Sequence, residues 1–176
     1  MDAVRSVVFN SMPLHSGTSI NAAICIDFLP VDDTDGTIDN GTPNWGAITA
    51  AFDTHGIDTP ELALLGLSLP DGLPDMLGTG NVETSIRLRV ENLSSVFQDG
   101  TARLHHNVGG SWDVVPMEPA GGYDHVAALP GDACGESSSF FFSAQTTDGV
   151  TVNLPSAGIA DAYSAQHADG PPLVAF

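Results

Sequence analysis

Four aspartates stand within eight residues, Asp32, Asp33, Asp35 and Asp39, and Gly36 lets the chain turn sharply between them. Calcium takes roughly six to eight oxygens, and acidic loops of this kind supply them. Four carboxylates held this close repel one another unless a cation or solvent relieves them. The ligand pattern is incomplete: an EF-hand-type register needs an oxygen at position 31, where Val31 stands, and no glutamate closes the loop. Calcium is thus the candidate cofactor, with Asp32, Asp33, Asp35 and Asp39 as its ligands. The alternative is a solvated turn that caps the helix starting near Pro43.

The other chemistry-bearing residues form weaker patterns. His105 and His106 are adjacent in a strand-like segment, so they face opposite sides and cannot grip one metal as a pair. His106 and His125 could meet across neighbouring strands, but no cysteine or carboxylate accompanies them in sequence, and a structural role is expected for the histidines. Gly135-Glu136-Ser137-Ser138-Ser139 lacks the Gly-x-Ser-x-Gly elbow and precedes a Phe-rich strand rather than a helix. No catalytic residue is assigned. Cys25 and Cys134 allow at most one disulfide, which spacing alone does not establish. Trp45, Trp112, Tyr123 and Tyr163 could offer rings to a sugar. Packing is the expectation for Trp112 and Tyr123, and Tyr163 is left open.

The elements that position these residues fall into two parts. Over residues 1–60, Ser19 could cap a short helix bearing Ile20, Ile24 and Phe28, stopped by Pro30, although Ile24, Ile26 and Phe28 would equally suit a strand. Thr42-Pro43 offers a cap and a first-turn proline for a second helix, with Trp45, Ile48 and Phe52 on one face and Gly56 at its end. From residue 61 the period changes to two. Ile86, Leu88 and Val90 alternate with Ser85, Arg87, Arg89 and Glu91.

Strands are also predicted at Leu62–Leu69, Thr101–Asn107, Ser111–Met117, Tyr123–Leu129, Ser138–Gln145, Val150–Leu154 and Ala162–His167. Asp148-Gly149 marks a hairpin. The expected fold is mainly β: an Ig/fibronectin-III-like antiparallel β-sandwich over 61–168, with a short N-terminal helical segment and a linker tail at 169–176. Trp112, Tyr123, Phe140 and Phe142 are its expected core aromatics.

Composition excludes some partners. The chain has 22 acidic residues against four basic ones, all arginine (Arg5, Arg87, Arg89 and Arg103), for a formal charge of −18. Almost nothing is available to neutralise phosphates, so neither nucleic acid nor an anionic membrane surface is an expected partner. No apolar stretch approaches the roughly 20 residues of a spanning helix, so no membrane insertion is expected. The N-terminus lacks a basic region followed by an apolar run, and Gly-Pro-Pro-Leu-Val-Ala-Phe at the other end reads as a linker. A fragment of a longer exported protein, secreted or at the cell surface, is the expectation.

A family resemblance gives that expectation content. Residues 32–57, with Asp32-Asp33, Asp35-Gly36, Asn40-Gly41-Thr42-Pro43, Ile48, Ala51-Phe52 and His55-Gly56, resemble the stretch that closes the catalytic domain of secreted bacterial thermolysin-like zinc metallopeptidases. Residues 67–165 look like the Ig-like module that often follows such peptidases in planctomycete-type marine bacteria. The carrying pieces are Leu69-Pro70-Asp71-Gly72-Leu73-Pro74, Ile86–Val90, Gly100–His105, Ala133-Cys134-Gly135 and Phe141–Gln145. The His-Glu-x-x-His motif that such a site needs is absent from the sequence. The resemblance therefore implies a non-catalytic accessory module, with a peptidase catalytic domain of the parent chain as partner. A carbohydrate-binding module with a glycan partner, and a calcium-dependent surface or assembly protein, are the alternatives.

Overall fold

The computed structural model describes residues 8, 10–14 and 22–169. His15, Ser19, Ile20 and nearly all of the expected tail lie outside the described residues. The chain divides into two compact units, Met1–Ala63 and Leu64–Phe176.

In the first unit, the segment that could have been strand or helix is a helix, α1, Ala22–Asp32. Pro30 does not stop it. The helix runs two residues further to Asp32, and the Asp33 amide still bonds to the Leu29 carbonyl at 2.9 Å. The ring removes a single amide near the C-terminal end, where the loss is small. Cys25, Leu29 and Asp32 recur at helical spacing and form the buried face.

The second helix, α2, spans Trp45–Asp53, beginning two residues after the expected Pro43. Thr42 does not cap it, because its hydroxyl is engaged by Asp32. At the other end Gly56 adopts φ +68°. Its amide bonds to the Asp53 carbonyl while the Ile57 amide bonds to that of Phe52, the paired closure of a Schellman motif. Phe28 of α1 meets Phe52 of α2 edge-to-face, centroids 5.3 Å apart.

The second unit is an antiparallel β-sandwich. Its strands are β1 (Leu65–Ser68), β2 (Thr84–Asn92), β3 (Arg103–Val108), β4 (Ser111–Pro116), β5 (Glu118–Gly121), β6 (Asp124–Leu129), β7 (Ser137–Gln145), β8 (Thr151–Leu154) and β9 (Tyr163–Gln166). One sheet has the order β1-β2-β6-β5 and the other β4-β3-β7-β8. This is the strand order of an immunoglobulin-like sandwich. The last position beside β7 is shared. β8 pairs with its later half, Phe142–Gln145, and β9 with its earlier half, Ser137–Phe140.

Both sheets turn alternate residues into one core. Ile86, Leu88 and Val90 of β2 meet Leu104 of β3, Leu129 of β6, and Phe140 and Phe142 of β7. Two of the expected core aromatics are elsewhere: Trp112 and Tyr123 are 36% and 60% exposed. Register explains Trp112. Gly109 and Gly110, both at positive φ, close a two-residue hairpin that pairs Trp112 with Asn107. Leu104 and His106 point inward, so Asn107 and its partner Trp112 point out. Tyr123 sits in the turn after Gly121-Gly122 instead of inside β6.

Candidate functional site

The acidic loop binds its own backbone. Asp32 is 7% exposed and lies at the end of α1. Its Oδ2 accepts the Thr42 hydroxyl and the Asn44 amide, and its Oδ1 accepts the Asn44 side-chain amide, all at 2.6 Å. Burial alone would raise its pKa, but these bonds from Thr42 and Asn44 more than offset that and hold it below the usual carboxylate range. Asp33 accepts the amides of Asp35 and Gly36, while Asp35 accepts the Thr37 amide and the Asn40 side chain. The Asn40 and Thr37 bonds lower the Asp35 pKa as well. Asp39 lies in a short 3₁₀ turn, Ile38–Asn40. Among the described residues no three acidic, His or Cys side chains gather as a metal ion would require. Asp32, Asp33 and Asp35 thus act as turn and helix-junction acceptors, with Asp32 aimed at the start of α2.

The Ser-rich segment holds a feature that sequence reading missed. Ser138 Oγ lies 2.7 Å from His167 Nε2, and His167 Nδ1 lies 2.5 Å from the Gly78 carbonyl. A protonated Nδ1 donates to the Gly78 carbonyl, whereas a bare Nδ1 accepts the Asp132 amide at 3.1 Å. In the first tautomer Nε2 accepts the serine proton, the arrangement of a nucleophile and its base with a backbone carbonyl as orienter; in the second Nε2 donates to Oγ. Both side chains are fully buried. No substrate carbonyl reaches Oγ in this state.

The pair instead joins three segments. The amide of Leu77 bonds to Gln166, that of Ala168 to Leu77, that of His167 to Glu136, and that of Gly80 to Asp132. The junction is tight enough to require glycine at position 131, where a Cβ would lie 2.5 Å from the Val82 carbonyl oxygen. No local motif announced the pair, because its members are 29 residues apart.

The other histidines separate. His106 and His125 lie on strands of opposite sheets, both pointing inward, and the Nδ1 of each is buried without a partner. His125 meets Phe97 edge-on at 5.1 Å, whereas His106 is paired across strands with Asp113 and Phe140. Both cysteines are free thiols, Cys25 buried and Cys134 exposed. Burial, followed by the charge of Asp53, raises the Cys25 pKa, so this thiol is a poor nucleophile.

Within the sandwich, Trp112, Tyr123 and Tyr163 do not form one platform. Tyr163 packs on core Phe140, centroids 5.9 Å apart, and Trp45 belongs to the other unit. A different group forms on the outer face of the β4-β3-β7 sheet. His105 stacks flat on Phe141 at 4.2 Å with an interplanar angle of 8°, and Trp112 leans on the same ring at 5.5 Å. His105 Nε2 meets the Ser143 hydroxyl at 2.8 Å. Burial, reinforced by nearby Arg103, lowers the His105 pKa and keeps the ring neutral at pH 7. The signal was present: once Phe140 and Phe142 face inward, Phe141 must face out beside His105.

No family profile and no curated protein matches the chain. Among solved structures, the chain is similar to a crystallised engineered protein at 14% identity and TM-score 0.42, over 64% of this chain and 22% of that one. The chain thus spans about a fifth of that structure's length.

Proposed function

We propose that this chain is a non-catalytic accessory β-sandwich module of a secreted or cell-surface bacterial metallopeptidase, spacing, stabilising or targeting its parent. The observation that carries the reading is the sealed Ser138–His167 pair. The arrangement closest to hydrolytic machinery is completely buried and ties strands together. Attachment to a peptidase rests on the resemblance of residues 32–57 to the closing stretch of such catalytic domains. The partner would then be the catalytic domain of the same longer chain.

The test is the purified chain on casein, with and without a chelator, and on p-nitrophenyl esters. No hydrolysis is expected. Casein cleavage that a chelator abolishes, or esterase activity lost in Ser138→Ala, would overturn the reading. A glycan-binding role is a second reading, favoured by the exposed Trp112 beside the Phe141–His105 stack.

A further inference from the structure

Strand register sorts the residues of the five-stranded sheet between core and surface. The outward rows are Trp112–Asn107–Ser139–Ser164, then Val114–His105–Phe141, then Pro116–Arg103–Ser143–Asn153, with Ser137–Gln166 and Gln145–Thr151 at the margins. No Asp or Glu occupies an outward position on these five strands, although the chain contains 22 acidic residues. Arg103, the one arginine among them, is turned onto the backbone, donating to the carbonyls of Gly100 and Ala102. The face is therefore aromatic at its centre and bordered by neutral hydroxyl and amide groups. The turn between β8 and β9 bounds it on one side. Gly158, at φ +57°, lies so close that a Cβ would sit 3.2 Å from the Asn153 amide nitrogen and 3.6 Å from the Phe141 ring.

This chemistry selects an occupant. A sugar ring presents a C–H face that lies against an aromatic plane, and hydroxyls that need neutral donors and acceptors at its edge. Nucleic acid and anionic polysaccharides meet a molecule of charge −18 and are repelled. A second copy of the chain would carry the same charge. We propose that this face binds a neutral polysaccharide, one pyranose stacking on Trp112 while its hydroxyls and those of the next sugar reach Ser139 and the side-chain NH2 of Asn107, whose Oδ1 is itself buried. Adjacent strands are about 4.8 Å apart, so Trp112 and Ser139, two strands distant, are separated by about the length of a disaccharide. The proposal rests on the accessory reading and gives its targeting role a ligand class.

The experiment is affinity electrophoresis of the whole chain through gels containing hydroxyethylcellulose, xylan, laminarin, mannan or starch, with alginate as the anionic control. A Trp45→Phe background leaves Trp112 as the sole indole for fluorescence titration. At least one neutral polysaccharide should retard the protein and shift Trp112 emission to saturation. Trp112→Ala should weaken binding about tenfold or more, as for a central aromatic anchor. Asn107→Ala should weaken it less, and Tyr123→Ala not at all. Circular dichroism checks the fold, and Trp112→Phe, which keeps a ring, should retain part of the affinity if Trp112→Ala does not fold.

Lack of retardation by every neutral polysaccharide, retardation only by alginate, or equal binding by Trp112→Ala would overturn the proposal. So would a dimer that Trp112→Ala dissolves, because the face would then belong to a second copy. Those results leave the accessory reading intact. Chelator-sensitive casein cleavage would sink the accessory reading while leaving a polysaccharide result standing.

Discussion

The two sheets of the sandwich share one core but present opposite chemistry to solvent. The outer face of β1-β2-β6-β5 is ionic. Asp124 takes the Arg89 guanidinium at 2.8 Å, with Arg87 at 3.8 Å, and Arg87 also approaches Asp71 at 3.5 Å. The outer face of β4-β3-β7-β8 has no carboxylate across its strands and centres on Trp112, Phe141 and His105. Inward positions follow the same apolar alternation in both sheets, so packing does not dictate the difference. Charge is concentrated on one face, and the other is left without carboxylates.

The largest expected effect comes from breaking the neutral sheet at its last strand. His167→Ala removes a fully buried ring and leaves the Ser138 hydroxyl and Gly78 carbonyl without their partner. A loss of about 3 kcal/mol or more is expected, from a cavity plus stranded polar groups. Ser138→Ala should cost about 1 to 2 kcal/mol, since it strands only one ring nitrogen. Urea unfolding checks both: the midpoint should fall while the slope stays constant. A His167→Ala midpoint equal to wild type would mean the pair contributes nothing to the fold.

Phe141→Asp tests the outer side of β7, the strand that also carries Ser138. It places a charge on the acid-free face and removes the ring that both His105 and Trp112 contact, at an expected cost of about 2 kcal/mol. Arg87→Asp, on the ionic face, should cost less, because the ion pairs lost and the repulsion gained from Asp71 and Asp124 are screened by solvent. Thermal melting of the two variants side by side measures the contrast. Equal losses would show that the two faces do not differ energetically.

In the helical unit a carboxylate is structural in a third way. Asp32→Ala removes the acceptor for Thr42 and for both Asn44 donors, and should cost about 2 kcal/mol, read as helical ellipticity lost at lower temperature. The folded pKa of Asp32 lies below its unfolded value, so its contribution is complete above the unfolded value and fades as pH falls through the depressed folded one. Because Asp32, Asp33 and Asp35 already accept hydrogen bonds, calcium at millimolar concentration should leave the melting curve unchanged. A rise that Asp33→Asn abolishes would restore the loop as a metal site.

Sequence reading located the β elements well, because half-buried strands carry their period locally. All eight predicted strands are present, and among the described residues β5 is the one strand without a sequence signal. That short edge strand, Glu118-Pro119-Ala120-Gly121, is exposed throughout and has no alternation to read. The errors came where a side chain's role depends on a distant partner. Residue type alone predicts Trp112 in the core, as aromatics usually are, whereas the Gly109-Gly110 hairpin register turns it outward. Thr42 has the type of a helix cap, but Asp32, ten residues earlier, holds its hydroxyl. Ser138 and His167 meet only because β7 and β9 pair, which no local motif records.

The smallest expected effect belongs to the ionic face. The hydrogen bond from Arg89, together with the charges of Arg89 and Arg87, lowers the Asp124 pKa, while Asp124 raises that of Arg89. A carboxylate whose folded pKa lies below its unfolded value stabilises the fold above the unfolded value, about pH 4, and loses that contribution as pH falls through the folded pKa. Arg89→Gln should therefore lower the melting temperature slightly at pH 7 and less at pH 3, where Asp124 is increasingly protonated in either protein. Added salt should also shrink the difference, because solvent-exposed pairs are screened. Salt should leave the Phe141→Asp loss nearly unchanged, since that loss comes mainly from ring packing. If salt diminished both equally, the neutral face would be held by charge after all, and the contrast between the sheets would fail.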